Sequence, residues 1–134
     1  AVIARFIDRQ DSHNPHNGAE VPSLETLVSW LDETRGRPPF FCELLGDNGF
    51  RLLVGVSGTV GCAQYSAMSG KPPYLMATDA REIKGENDYV EFLTANTDTP
   101  VPKKFCLPMS RIKEVLADFV ATGEKGERVT WEAI

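Results

Sequence analysis

Apolar runs and turn-forming clusters alternate most regularly between residues 40 and 78, FFCELLGDNGFRLLVGVSGTVGCAQYSAMSGKPPYLMAT. Four short runs rich in Val, Leu, Phe and Tyr are separated by GDNG, SG and AMSGKPP, the spacing of an antiparallel meander. In the second run Phe50, Leu52, Val54 and Val56 alternate with Arg51, Leu53, Gly55 and Ser57. One face is apolar and the other mixed, which predicts a strand covered on one face. Asp47-Asn48-Gly49 suits a tight hairpin, because Asn and Gly reach positive φ at low steric cost. Ser57-Gly58-Thr59 predicts the next turn.

The flanking segments extend this pattern. Residues 2–7 (VIARFI) read as a strand added to one side of the meander, and residues 10–22 as a polar loop. Ser23 is a good helix N-cap, and Glu25 sits where the helix dipole favours an acid. Leu24, Leu27, Val28 and Leu31 then form one stripe at helical spacing, ended by Gly36 and Pro38-Pro39. Residues 89–94 (YVEFLT) resume strand alternation, residues 96–102 break it, and residues 103–107 (KKFCL) predict a last long strand. Ser110 is expected to cap a second helix with the stripe Ile112, Val115, Leu116, Phe119 and Val120, and Gly123 to end it. A short extended tail, residues 129–132, carries Trp131, placed to pin it to the body; Trp30 edges the first helix stripe as a core residue.

The elements together predict an α+β fold: a mostly antiparallel twisted sheet, meander plus flanking strands, with two amphipathic helices packed on it. At 134 residues the chain is one domain, 1–134, able to bury roughly two-thirds of its unfolded surface. No internal repeat or dividing linker is visible. No apolar run approaches the ~20 residues of a membrane helix, and no signal peptide is visible. Cys42, Cys62 and Cys106 are widely spaced and lie in apolar runs, as reduced core cysteines of a cytoplasmic protein would. A net charge of −5 argues against a nucleic-acid backbone as partner and favours a basic protein.

Searches for catalytic sets find little. A thiol nucleophile needs a nearby His, but the two histidines, His13 and His16, lie in the polar loop, where they read as solvent-exposed. Asn14-Pro15 between them disfavours the helix that would make His13-x-x-His16 a metal pair. Gly55-x-x-Gly58-x-x-Gly61 lies between strands, not at the helix N-terminus that a phosphate loop requires, so these glycines predict a tight turn and close packing. Nothing asks for a cofactor or a metal.

The densest charge lies in residues 79–91, DAREIKGENDYVE. Asp79, Glu82, Glu86, Asp88 and Glu91 fit a solvated loop, or a docking surface with Tyr89 as aromatic anchor, or the paired carboxylates of a glycosidase. Binding to a protein, binding of a small ligand between helix and sheet near Tyr65, Tyr74 and Trp30, acid-pair hydrolysis, and service as a subunit of a larger complex all stay open from the residues alone.

The order of features narrows this. GFRLLVGVSGTVGCAQYS, with its Leu-x-Val-Gly-Val hairpin and following Tyr65, and the ending ADFVATGEKGERVTWEAI, with Phe119-x-x-x-Gly123 and Val129-x-Trp131-Glu132, resemble the first-described immunity protein family of bacterial polymorphic-toxin systems. The resemblance spans nearly the whole chain. Family members usually end in a Trp-Glu-Glu-like motif, whereas this chain reads Trp131-Glu132-Ala133. The resemblance implies a non-enzymatic α+β protein that binds the catalytic domain of a cognate toxin, often a nucleic-acid deaminase; exposed strand edges leave both a monomer and a homodimer open. The chain lacks the deaminase zinc signature, so it is not the toxin. The expected contact surface is Glu82, Glu86, Asp88 and Tyr89 together with the Asp47-Asn48 turn.

Overall fold

The meander forms as its turn residues dictate. In the computed structural model, which describes residues 2–78 and 88–134, it comprises β2 (Phe40–Gly46), β3 (Phe50–Val56), β4 (Val60–Ala67) and β5 (Leu75–Thr78). Gly49 takes φ 86° in the β2–β3 turn. Ser57 Oγ accepts the Val60 amide at 3.0 Å, closing the β3–β4 turn by a side chain.

Flanking strands widen the sheet to the order β7-β6-β2-β3-β4-β5-β9, with β6 at Tyr89–Thr94, β7 at Thr97–Pro102 and β9 at Thr130–Ala133. β1 (Ala4–Asp8) pairs antiparallel along β2 from Cys42 to Gly46, and β6 joins the start of β2 through a parallel Phe40–Leu93 pair. Among the described strands this is the one parallel pairing, so the sheet is mixed.

Helix α1 (Leu24–Asp32) starts at the expected cap, with Ser23 Oγ accepting the Thr26 amide at 3.2 Å. Helix α2 (Met109–Thr122) ends at Gly123 in the left-handed conformation, φ 74°. Its start corrects the expectation: Ser110 lies inside the first turn and Pro108 holds the cap position. No side-chain cap is required for the first amide, because Met109 N–H donates to Thr59 O of the β3–β4 turn at 3.0 Å.

Two further corrections concern residues 96–107. Residues 97–102 continue as β7, because Ala95 and Asn96 both take positive φ, 48° and 66°, and make a two-residue hairpin turn. Pro100 and Pro102 are two apart and turn the same edge of β7 outward, where a missing N–H breaks no pairing. The expected long strand at 103–107 is instead a 3-10 turn (Lys103–Phe105) followed by the two-residue strand β8 (Leu107–Pro108) against β4. Phe105 and Leu107 are buried but on no common strand face, so apolar content alone was misleading there.

Both faces of the sheet are covered, where the alternation predicted cover on one. The first face carries Phe6, Phe40, Leu44, Leu52 and Val54 against Leu27 of α1 and Ile112, Leu116 and Phe119 of α2. Each such fully buried side chain contributes roughly 1.5–3 kcal/mol of burial. On the second face Phe41, Cys62 and Met76 meet Phe92, Val101 and Phe105, supplied by the β6–β7 hairpin and the 3-10 turn. A Cβ at Gly55 would lie 2.7 Å from the Phe92 ring, so the glycine permits this close approach. At Gly61 a Cβ would lie 2.7 Å from Met109 Sδ, which is the close packing expected of these glycines.

Candidate functional site

The hairpin roofs one end of the second face, and among the described residues no second element covers the other end. There β2 places Glu43 outward, between Ile7 of β1 and Leu53 of β3. Only 3% of its side chain is exposed, yet it sits at the centre of a strand, and two arginines account for that. Arg9 donates Nε–H to Glu43 Oε1 at 2.7 Å, and Arg51 Nη1 lies 3.4 Å from Oε2. Arg51 also reaches Ser66 Oγ at 3.3 Å. A buried carboxylate persists only when paired and hydrogen-bonded, and this one is held from both sides. The signal for it in the sequence is the lone acid in the apolar run FFCELLG, which alternation analysis passes over.

Beside this cluster the hairpin stands away from the sheet and encloses an open-mouthed cavity of about 450 Å³. Its floor is Phe41, Leu53, Cys62 and Met76; its roof is formed by Thr99, Pro100 and Val101. The walls are largely apolar. The polar groups in it, the Gln64 amide and the hydroxyls of Thr94 and Thr99, form no side-chain hydrogen bond with another described residue.

The pocket expected between helix and sheet near Tyr65, Tyr74 and Trp30 is not formed by those residues. Tyr65 is buried, stacked on Phe50 at 5.0 Å and edge-on to Phe119 and Trp131. Tyr74 donates its hydroxyl to Gly70 O, and Trp30 packs on Phe6 and on His16. The Trp131 indole N–H donates to Gly126 O at 3.0 Å while its strand pairs with β5, which holds the tail to the body.

Of the residues expected at a contact surface, Glu82 and Glu86 lie outside the described residues. Asp88 and Tyr89 stand at the start of β6, both exposed, Tyr89 to 51%; Lys103 Nζ is 3.9 Å from the Asp88 carboxylate. Asp47 and Asn48 are also exposed but have tasks within the fold. Asp47 Oδ1 accepts the Ile3 amide at 3.1 Å, and Asn48 Nδ2 donates to Gly123 O at 2.9 Å, tying the β2–β3 turn to the end of α2. These two pairs are not brought together. Leu93 is level with Phe40 in the parallel pair, so Tyr89 lies before β2 and the Asp47-Asn48 turn beyond its end, roughly 35 Å apart along the strands.

The nucleophile and metal candidates are placed as follows. All three cysteines are buried and none forms a disulfide. Burial pushes the Cys42 and Cys62 thiols far up, away from thiolate chemistry. His16 corrects the expectation of two exposed histidines: it stacks on Trp30 at 4.5 Å, and its Nε2 lies 2.7 Å from Glu33 Oε2. His13 remains exposed. Among the described residues no three His, Cys, Asp or Glu side chains converge as a metal site. No described helix is long and apolar enough to cross a membrane.

A protein-family model described as "Immunity protein Imm1" matches residues 3–133. No curated protein matches the chain.

Proposed function

The chain belongs to the Imm1 immunity protein family, and from that premise we propose that it protects the cell that makes it by binding a cognate toxin domain in the cytoplasm and covering its active site or substrate groove. The observation that carries the reading is the extent of the family match, which takes in every strand and both helices of the described fold. Immunity of this kind works by binding, not by turnover.

The target is a toxin that acts on nucleic acid, of the deaminase class. Such a toxin must present a basic surface to its substrate, and a protein of net charge −5 complements it. The surface we assign first is the Asp88-Tyr89 end of β6 with Glu82 and Glu86, and second the Asp47-Asn48 turn. Because the two described parts lie at opposite ends of the sheet, they serve one interface only if the toxin spans the molecule.

Co-expression with the C-terminal domain encoded by the adjacent gene tests this. Survival of cells carrying both, with a stable complex on purification, is the expected result. If that domain kills whether or not this protein is present, the proposal fails. Reversing Glu82, Glu86 and Asp88 together to Lys is expected to slow association about tenfold at low salt and much less at high salt; unchanged association removes these acids from the interface.

A further inference from the structure

Resting on the immunity reading, we infer that the cavity under the β6–β7 hairpin is the anchor pocket of the toxin interface, and that it receives one large apolar side chain from a segment of the toxin rich in Lys and Arg. Size is the first argument. A cavity of about 150 Å³ already admits a benzene ring, and this one, at about 450 Å³, has room for an indole or phenyl group with the backbone that carries it. Its apolar walls hydrate poorly, so filling it releases weakly held water. The unpaired Gln64 amide and the Thr94 and Thr99 hydroxyls supply partners for the peptide groups of an entering segment.

Charge decides which partner. Nearby cations are already engaged: Arg9 and Arg51 on Glu43, Lys103 near Asp88, and Lys104 at 3.4 Å from Glu132. The acids on the roof are not. Glu91 pairs across the hairpin with Pro100, and Asp98 with Leu93, so both project from the side of the hairpin opposite Phe92. Both are exposed, and neither forms an ion pair with a described residue. The outer side of the roof therefore carries uncompensated negative charge, which basic residues flanking the side chain seated in the pocket neutralise.

The mode of docking follows from the edge. A peptide could otherwise add as a strand to β7, but Pro100 and Pro102 remove the N–H groups such pairing needs on that side. Insertion into the pocket is the route left to this hairpin, and a central apolar anchor ringed by polar groups is the usual form of an interface hot spot.

The test uses the whole protein, the toxin domain encoded beside it, and indole as a small probe. Thr99→Trp fills the pocket from an exposed roof position; should it lower the melting temperature, Gln64→Trp fills the same space from the floor. With melting unchanged, the filled variant is expected to bind the toxin domain at least thirtyfold more weakly, and indole is expected to shift the NMR signals of Leu53, Met76 and Val101 in the wild type but not in the variant. Glu91→Lys with Asp98→Lys is expected to cut the association rate at least tenfold at low salt. Equal toxin affinity in wild type and filled variant overturns the pocket while leaving immunity intact. Unchanged association after the double reversal overturns the basic partner. If the wild type binds indole but no toxin domain, the immunity reading and the anchor both fall, and the cavity is a small-ligand site.

Discussion

The two faces of the sheet are buried in different ways. The face under α1 and α2 is continuous: large side chains from β1 to β4 meet two helical stripes, with Phe6, Leu44, Leu52 and Phe119 all fully buried. Among the described residues, the opposite face is closed beneath the β6–β7 hairpin and the 3-10 turn, and beside that roof lie a cavity and an arginine-bridged glutamate. The first face makes the fold stable. The second keeps unpaired polar groups and unfilled space at the surface, which is what a protein that must bind another can use.

Matched truncations test that division with the largest effects. Phe119 and Phe92 are both fully buried, one on each face. Phe119→Ala is expected to cost about 3–5 kcal/mol, because helix and sheet enclose the site from all sides and it collapses little. Phe92→Ala should stay near the lower end, about 3 kcal/mol or less, because the hairpin beside the cavity is free to settle onto the sheet. Urea unfolding of both variants measures the gap; a larger loss at Phe92 would reverse the assignment of the two faces.

Each face also buries one carboxylate, and these differ too. The Asp8 side chain has no exposure, and Arg37 donates to it at 2.8 Å, Asn14 at 3.0 Å, and the Gln10 and Asp11 amides each at 3.0 Å. Burial pushes its carboxyl up, but these donors outweigh it and hold the group below the ordinary value. Its contribution is therefore fully present above about pH 4, the unfolded reference, and is lost as pH falls through the lower folded value. Asp8→Ala is expected to cost about 3–5 kcal/mol at pH 7 by leaving Arg37 and the amides without an acceptor. The wild type should lose its advantage over Asp8→Ala below pH 4. Glu43→Ala should cost less, about 1–3 kcal/mol, because Arg9 and Arg51 remain partly exposed and can turn to water.

The helix-covered face was legible in the sequence because both of its periods are local: alternation in residues 50–56 and the 3.6-residue stripes of the helices survive whatever packs against them. The hairpin face was not. β7 reads Thr-Asp-Thr-Pro-Val-Pro, and Val101 is its one buried residue, so no alternation marks it. The cavity depends on how far the roof stands off the sheet, which no residue spacing encodes. Glu43 carried a signal, a charge within a buried run, but its arginines come from positions 34 residues earlier and 8 later. Tyr89 was legible as an exposed aromatic because Asp88 and Glu91 flank it.

Gly55 tests how closely the roof must sit. A Cβ there would lie 2.6 Å from Cys62 Sγ and 2.7 Å from the Phe92 ring, nearer than real side-chain carbons approach. Gly55→Ala is expected to cost about 1–3 kcal/mol by overpacking. The ring of Phe92 is the part that must move, so the loss should shrink in a Phe92→Leu background. Additive losses in the double variant would show that the clash is borne by the β3–β4 pairing instead.

The smallest effect lies in the roof's own turn. Ala95 holds φ 48°, a conformation that costs a residue with a Cβ about 1–2 kcal/mol, and its neighbour Asn96 holds φ 66°. The turn is tied down by the Ala95 amide donating to Arg9 O at 3.0 Å and by reciprocal bonds between Gln10 and Asn96. Ala95→Gly removes the Cβ penalty but gives the unfolded chain more freedom, a loss of about 0.5–1 kcal/mol. The balance is a gain of at most about 1.5 kcal/mol, read as a higher melting temperature. Because the turn lies outside the helix-covered core, that gain should persist unchanged in Phe119→Ala, whereas in Phe92→Ala, where the roof itself loosens, it should diminish. Equal gains in both backgrounds would mean that the turn folds independently of the roof's seat on the sheet.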